Sequence, residues 1–239
     1  MAFAAARWTG DEGERDAMCF SAEANFVAAG AIGLVGLATL RKVSAVPAVL
    51  FAATPLLFAL HQLTEGFVWL GLDGRIRPEA RDHFVFLFVL YAQGVLPLLM
   101  PLAVYLMEPP GRRRLLIGGL TAVGGALCVY TLYGVIAFPT TARVEHHSIV
   151  YDNAATSWLS VAAAYVLATC GALVLSWHRV VMGFGILNFV GVAVTLIVRG
   201  YAFTSVWCHY AAVLSVLIFW QFHKGHIDLR DPNSRALTA

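Results

Sequence analysis

Runs of about twenty apolar residues, repeated along almost the whole chain, constrain this sequence more than any other feature. Crossing a hydrocarbon layer of ~30 Å as a helix takes roughly 20 such residues at ~1.5 Å each. We read blocks of that length at 22–40, 47–70, 84–107, 115–138, 154–177, 180–198 and 201–222. Strands would need shorter alternating runs, which we do not find. Backbone in lipid must satisfy its own hydrogen bonds, so the expected fold class is all-α: a polytopic integral membrane bundle of seven transmembrane helices. With 59% of the 239 residues hydrophobic and 13% charged, and a mean hydropathy of +0.74, the chain carries more apolar surface than one soluble core could hide.

The blocks are separated where charge or proline gathers: Arg41-Lys42, 73–82, 108–114, 139–153 and His178-Arg179. The weakest break is Arg199-Gly200, and without it a six-span chain follows. Residues 1–17 are polar and expected to be a disordered extension, 18–223 the membrane domain, and 224–239 a cytoplasmic tail. Met18 offers an alternative start. With the amino terminus outside, Arg41, Lys42, Arg112, Arg113, Arg114, Arg179, Lys224, Arg230 and Arg235 fall on the cytoplasmic side, against Arg7, Arg15, Arg75, Arg77, Arg81, Arg143 and Arg199 on the other. Trp69, Trp158 and Trp207 near one surface, and Trp177 and Trp220 near the other, read as interfacial belts. The expected location is the inner membrane of a bacterial cell.

Several classes are excluded by composition. A net charge of +2 spread among apolar blocks offers no nucleic-acid surface. Cys19, Cys128, Cys170 and Cys208 have neither disulfide-framework nor metal-finger spacing. Retinal chemistry needs a lysine within a span, and the only lysines are Lys42 and Lys224. No phosphate-binding loop, dinucleotide fingerprint or nucleophile elbow is present.

Glycines 30, 33 and 36 in the first block, and 118, 119, 124 and 125 in the fourth, would let helices approach closely. Pro55 in the second block, and Pro97 and Pro101 in the third, each remove a backbone donor and free a carbonyl one turn back. His61-Gln62-x-x-Glu65 lies in the second block, and residues four apart share a helix face. Ionisable groups in a span are functional candidates and should face the bundle interior. Counting from the helix ends at ~1.5 Å per residue puts His61 roughly 13 Å deep and His209 roughly 12 Å deep. The two histidines are therefore expected to meet. Asn25, Gln93, Tyr130, Tyr133, Asn188 and Cys208 fall in the same layer, and Arg199 is a natural counter-ion for Glu65. The segment 139–153, with Arg143, Glu145, His146, His147 and Asp152, reads as a loop able to cover an outward-facing pocket.

Met18-Cys19-Phe20-Ser21 and Gln62-x-x-Glu65-Gly66-x-x-Trp69 resemble a family of small bacterial membrane proteins known only as a domain of unknown function. That resemblance covers nearly all of the chain after Met18 and implies no activity. With Met18 removed, Cys19 would present a free amine and thiol as a ligand. A second similarity is to the alkaline ceramidase and adiponectin-receptor superfamily, whose zinc sites take histidines from the second and seventh helices with an Asp and a Ser. His61 and His209 sit on comparable helices, whereas the His-x-x-x-His pair and the intramembrane Asp are missing here.

Four hypotheses follow. The first is a pocket for a small polar or ionic ligand in a proton-linked transporter or sensor, with His61, Gln62, Glu65, Gln93, Asn188 and Arg199 handling ligand or proton. The second is a metal-dependent hydrolase of lipid-like amides or esters, with zinc held by His61, His209, and Glu65 or Cys208. The third is haem held between His61 and His209. The fourth is a subunit whose polar layer serves helix packing alone.

Overall fold

The computed structural model describes residues 21–145, 148–199 and 203–223, side chains at 198, 199 and 203 excepted. Helix α1 (Ala22–Leu40) is followed by α2, which begins as a 3-10 turn at Val46 and ends at Leu72. Then come α3 (Pro78–Met107), α4 (Arg112–Ala137), strands β1 (Thr140–Glu145) and β2 (Ser148–Asn153), and α5 (Leu159–Leu175). The last two helices are α6 (Arg179–Arg199) and α7, which runs over Phe203–Leu214 and resumes at Val216–His223. Six of these are long and apolar enough to cross a membrane, and α5 is a shorter apolar helix. The chain is thus a multi-pass α-helical membrane bundle. The expected termini at 1–17 and 224–239 lie outside the described residues.

Local chemistry explains where the helices start and bend. Ser21 caps α1: its Oγ accepts from the Ala24 amide at 3.1 Å, and Asn25 Nδ2 donates to the Ser21 carbonyl at 3.0 Å. The serine of the Met-Cys-Phe-Ser motif therefore has a structural task. Pro55 cannot donate to the Phe51 carbonyl, and α2 breaks at Ala53 between Val49–Ala52 and Thr54–Leu72. In α3, Pro97 deprives the Gln93 carbonyl of its usual donor. Thr131 Oγ1 of α4 supplies one at 3.2 Å. The preceding turn, Leu90–Val95, is π-helical, as is Leu167–Gly171 in α5.

The glycines divide. A Cβ on Gly36 would lie 2.5 Å from the Leu56 backbone nitrogen, so α1 seats directly on α2. A Cβ on Gly124 would drive into the Pro97 carbonyl, so α4 seats equally closely on α3. Gly30 and Gly119 face open space and play no such part. Further neighbours include α2 on α3, α5 on α3, α4 and α6, α6 on α7, and α7 on α2, with the second half of α7 against α1, which brings the last helix back to the first.

The segment 139–153 departs from expectation. It forms an antiparallel hairpin with Thr140 opposite Asn153 and Glu145 opposite Ser148, so the fold is not purely helical. Asn153 secures it by donating through Nδ2 to the carbonyls of Gly134 and Phe138 and to Thr140 Oγ1. The outer face of β1 is charged, with Arg143 paired to Glu145 at 2.7 Å, and this charge obscures any alternation in the sequence. Ile149 is fully buried against Ala22, Val68, Trp69 and Val85, which roots the hairpin in the bundle. His146 and His147 lie outside the described residues. The tryptophan belts also need correction: Trp69 and Trp207 are buried, whereas Trp158, Trp177 and Trp220 are exposed.

Candidate functional site

A helix presents one stripe inward, and on α2 that stripe carries His61, Gln62, Glu65 and Trp69, all at most 3% exposed. Glu65 lies seven residues before the helix end at Leu72, roughly 10 Å in at ~1.5 Å per residue. The hairpin, the amino end of α3 and the amino end of α7 meet this part of α2. From α7 come Ser205, Cys208 and His209, from α3 Tyr91 and Gln93, and from β2 Tyr151.

The connections are specific. Gln62 Nε2 donates to His209 Nδ1 at 2.8 Å, which leaves the ring proton on Nε2. His61 stacks instead on Phe88 at 4.1 Å and leans on Tyr91 at 4.7 Å. Phe88 stacks in turn on Tyr151 at 4.4 Å. The Glu65 carboxyl interacts with the Ser205 hydroxyl and the Tyr151 phenol, although none of the three makes a well-formed hydrogen bond among the described residues. Cys208 lies within electrostatic reach of Glu65 and Tyr151. Burial first, and the neighbouring Glu65 carboxyl next, hold the Tyr151 phenol well above the usual tyrosine range, so it stays a donor.

The site's outstanding property is unmet hydrogen-bonding capacity. Both nitrogens of His61, both carboxyl oxygens of Glu65, Gln62 Oε1, Trp69 Nε1, and the hydroxyls of Tyr91, Tyr151 and Ser205 are buried without a protein partner among the described residues. Each such group destabilises by about 1–3 kcal/mol unless something bonds to it. Native interiors leave few. Donors and acceptors both occur here, so the complement must itself offer both.

Several expectations change. His61 and His209 are not bonded to each other: His61 turns to α3, and Gln62, one position on, meets α7. Gln93 Nε2 donates to Thr204 Oγ1 at 3.2 Å, tying α3 to α7 at the edge of the cluster. Asn188 donates to the Phe184 carbonyl of its own helix at 2.7 Å. Tyr130 bonds the Ala155 carbonyl and Tyr133 is mostly exposed, so neither contributes. The Arg199 side chain and Cys19 lie outside the described residues. Among the described residues no three His, Cys, Asp or Glu side chains gather as metal ligands; of the four residues expected for zinc, His61, His209, Glu65 and Cys208, the partner of His209 Nδ1 is Gln62 and not His61. Tyr91, Tyr151, Ser205 and Trp69 escaped the sequence reading as site residues. Tyr91 and Trp69 stand in or beside apolar runs where a polar tip is a signal, whereas nothing in a charged connecting segment marks Tyr151.

These features define a multi-pass helical membrane protein with an enclosed polar cluster beneath a β-hairpin. The chain belongs to the family DUF6629, a family of unknown function, which it matches over residues 18–231. No curated protein and no solved structure matches it.

Proposed function

We propose that the cluster is a binding site for a small polar or ionic ligand within the membrane, with Glu65 and His61 as its proton-handling pair. The protein would then act as a proton-linked transporter or as a sensor of that ligand. The observation that carries this reading is the concentration of buried polar atoms lacking partners around Glu65. A packing layer would satisfy itself, as Asn188 and Asn153 do. A ligand with both donors and acceptors would complete Glu65, Gln62 Oε1 and His61 on one side and the hydroxyls of Tyr91, Tyr151 and Ser205 on the other. The hairpin, through Tyr151, is the element that must move for the ligand to enter.

Thermal unfolding of the detergent-purified protein against a panel of small ammonium, amide and carboxylate compounds tests this. At a hundred times Kd a true ligand adds about 2.7 kcal/mol, a rise of several degrees that Glu65→Gln should abolish. No response to any compound, with Glu65→Leu and His61→Leu clearly less stable than the parent, would return the cluster to a packing role.

The same reading takes α5 as a seventh span and puts the amino terminus outside a bacterial cell membrane. It is supported by Arg41, Lys42, Arg112, Arg113, Arg114 and Arg179, which all lie at helix ends on the side opposite the hairpin. A cysteine introduced at Arg143 should react with an impermeant maleimide in intact cells, and one at Arg179 only after lysis.

A further inference from the structure

At the end of the bundle opposite the hairpin, a cavity of about 320 Å³ is lined by Arg112, Arg113, Glu108 and Trp177 with the turn Pro109 to Gly111. The Arg113 guanidinium lies 5.0 Å over the Trp177 ring, and Arg114 lies 4.7 Å over Tyr105. Arg112, Arg113 and Arg179, which opens α6, are exposed, and none makes an ion pair among the described residues. The one acid lining the cavity makes no ion pair with them among the described residues: both oxygens of Glu108 accept from the Trp177 amide, and one also from Ser176 Oγ. Its single carboxylate is outnumbered by Arg112 and Arg113, so the cavity presents net positive charge.

An apolar groove begins one turn further along the same helices. Its volume is about 550 Å³, and its walls include Leu116 and Leu120 of α4, Leu167 and Val174 of α5, and Ile186 and Val190 of α6. Leu116 and Leu120 follow Arg112 at four and eight residues, so arginine and leucines share one helix face. Val174 precedes Trp177 by three. Leu116, Leu167, Ile186 and Val190 are about half exposed, so the groove opens sideways.

We infer that this cavity and groove together bind an anionic phospholipid, its phosphodiester held by Arg112 and Arg113 beside Trp177 and one acyl chain laid between α4, α5 and α6. The occupant is specified by charge at one end and hydrocarbon at the other: a free phosphate would leave the groove empty, and a zwitterionic lipid would offer its phosphodiester but also bring a cationic headgroup against the arginines. Guanidinium forks suit phosphate oxygens. Basic pockets between membrane helices on the cytoplasmic side are suited to anionic headgroups.

The test is binding of phosphatidylglycerol, compared with phosphatidylcholine, to the delipidated full-length protein in detergent, read by native mass spectrometry and thermal shift. Phosphatidylglycerol should bind at least ten-fold more tightly. Arg112→Gln with Arg113→Gln should erase that preference, and Leu120→Trp, which fills the groove, should weaken both lipids while leaving the melting point of the lipid-free protein unchanged. Should loss of the Arg113 contact with Trp177 impair folding, Arg112→Gln alone carries the test, because that side chain is exposed. Equal binding of the two lipids would overturn the proposal. So would competition by inorganic phosphate with no effect of Leu120→Trp, or a lipid-independent dimer that Leu120→Trp dissociates.

Discussion

Two buried glutamates divide the molecule. Glu108, at the end of α3, is 3% exposed and its carboxylate is fully engaged by the Trp177 amide and Ser176 Oγ, across the break between α5 and α6. Glu65, in α2 beneath the hairpin, is 0% exposed and neither oxygen has a well-formed partner among the described residues. Both are removed from water, yet only the first is completed by its own fold. Burial alone therefore does not mark a functional carboxyl. What does is burial without internal satisfaction, as found from Trp69 to Ser205.

The contrast can be broken by mutation. Glu108→Ala should have the largest effect, a loss on the order of 3 kcal/mol, because it leaves the Trp177 amide and the Ser176 hydroxyl with no acceptor; denaturant unfolding in detergent reads it. Gly124→Val comes next, at roughly 1–3 kcal/mol, since the new side chain meets the Pro97 carbonyl. Gln62→Leu removes the bond to His209 and should lower stability by about 0.6 kcal/mol, the usual size of a hydrogen bond between membrane helices. Glu65→Gln should lie within about 0.5 kcal/mol of the parent or above it, because no well-formed hydrogen bond is lost and the amide keeps an acceptor oxygen toward Ser205 and Tyr151. A large destabilisation there would make the two glutamates alike and sink the distinction.

A pH titration sharpens it further. The Tyr151 phenol is raised above the ordinary value of 10.0, so the folded form holds this proton more tightly than the unfolded chain. Its contribution is constant below about pH 10 and is lost as pH rises through the folded value. Tyr151→Phe should flatten the stability profile above pH 10 and leave the lower range unchanged, with tyrosinate absorbance as the companion measurement.

Spans are legible in a sequence because lipid imposes length and composition directly on the residues. Blocks 22–40 and 180–198 lie within two residues of the helices found, and the Pro55 interruption was visible as well. The fourth-to-fifth connection was not, because Ile149 and Tyr151 acquire their meaning from α2, α3 and α7, which lie far away in the chain. Depth along a helix was readable, and azimuth was not. Neighbours His61 and Gln62 differ by ~100° around the axis. Counting residues could bring both to the height of His209 without saying which would touch it.

The π-helical turn at Leu90–Val95 means that α3 holds one residue more than a regular helix would place there. Deleting one residue of that turn would let it relax to ordinary winding with the two halves of α3 still in register, because the turn absorbs its extra residue locally. A deletion elsewhere in α3 swings the parts on either side by ~100° against each other, and Phe88 and the seat of Gly124 on Pro97 could then no longer face their present partners together. Single-residue deletion scanning should therefore find the π-helical turn the most forgiving part of the helix.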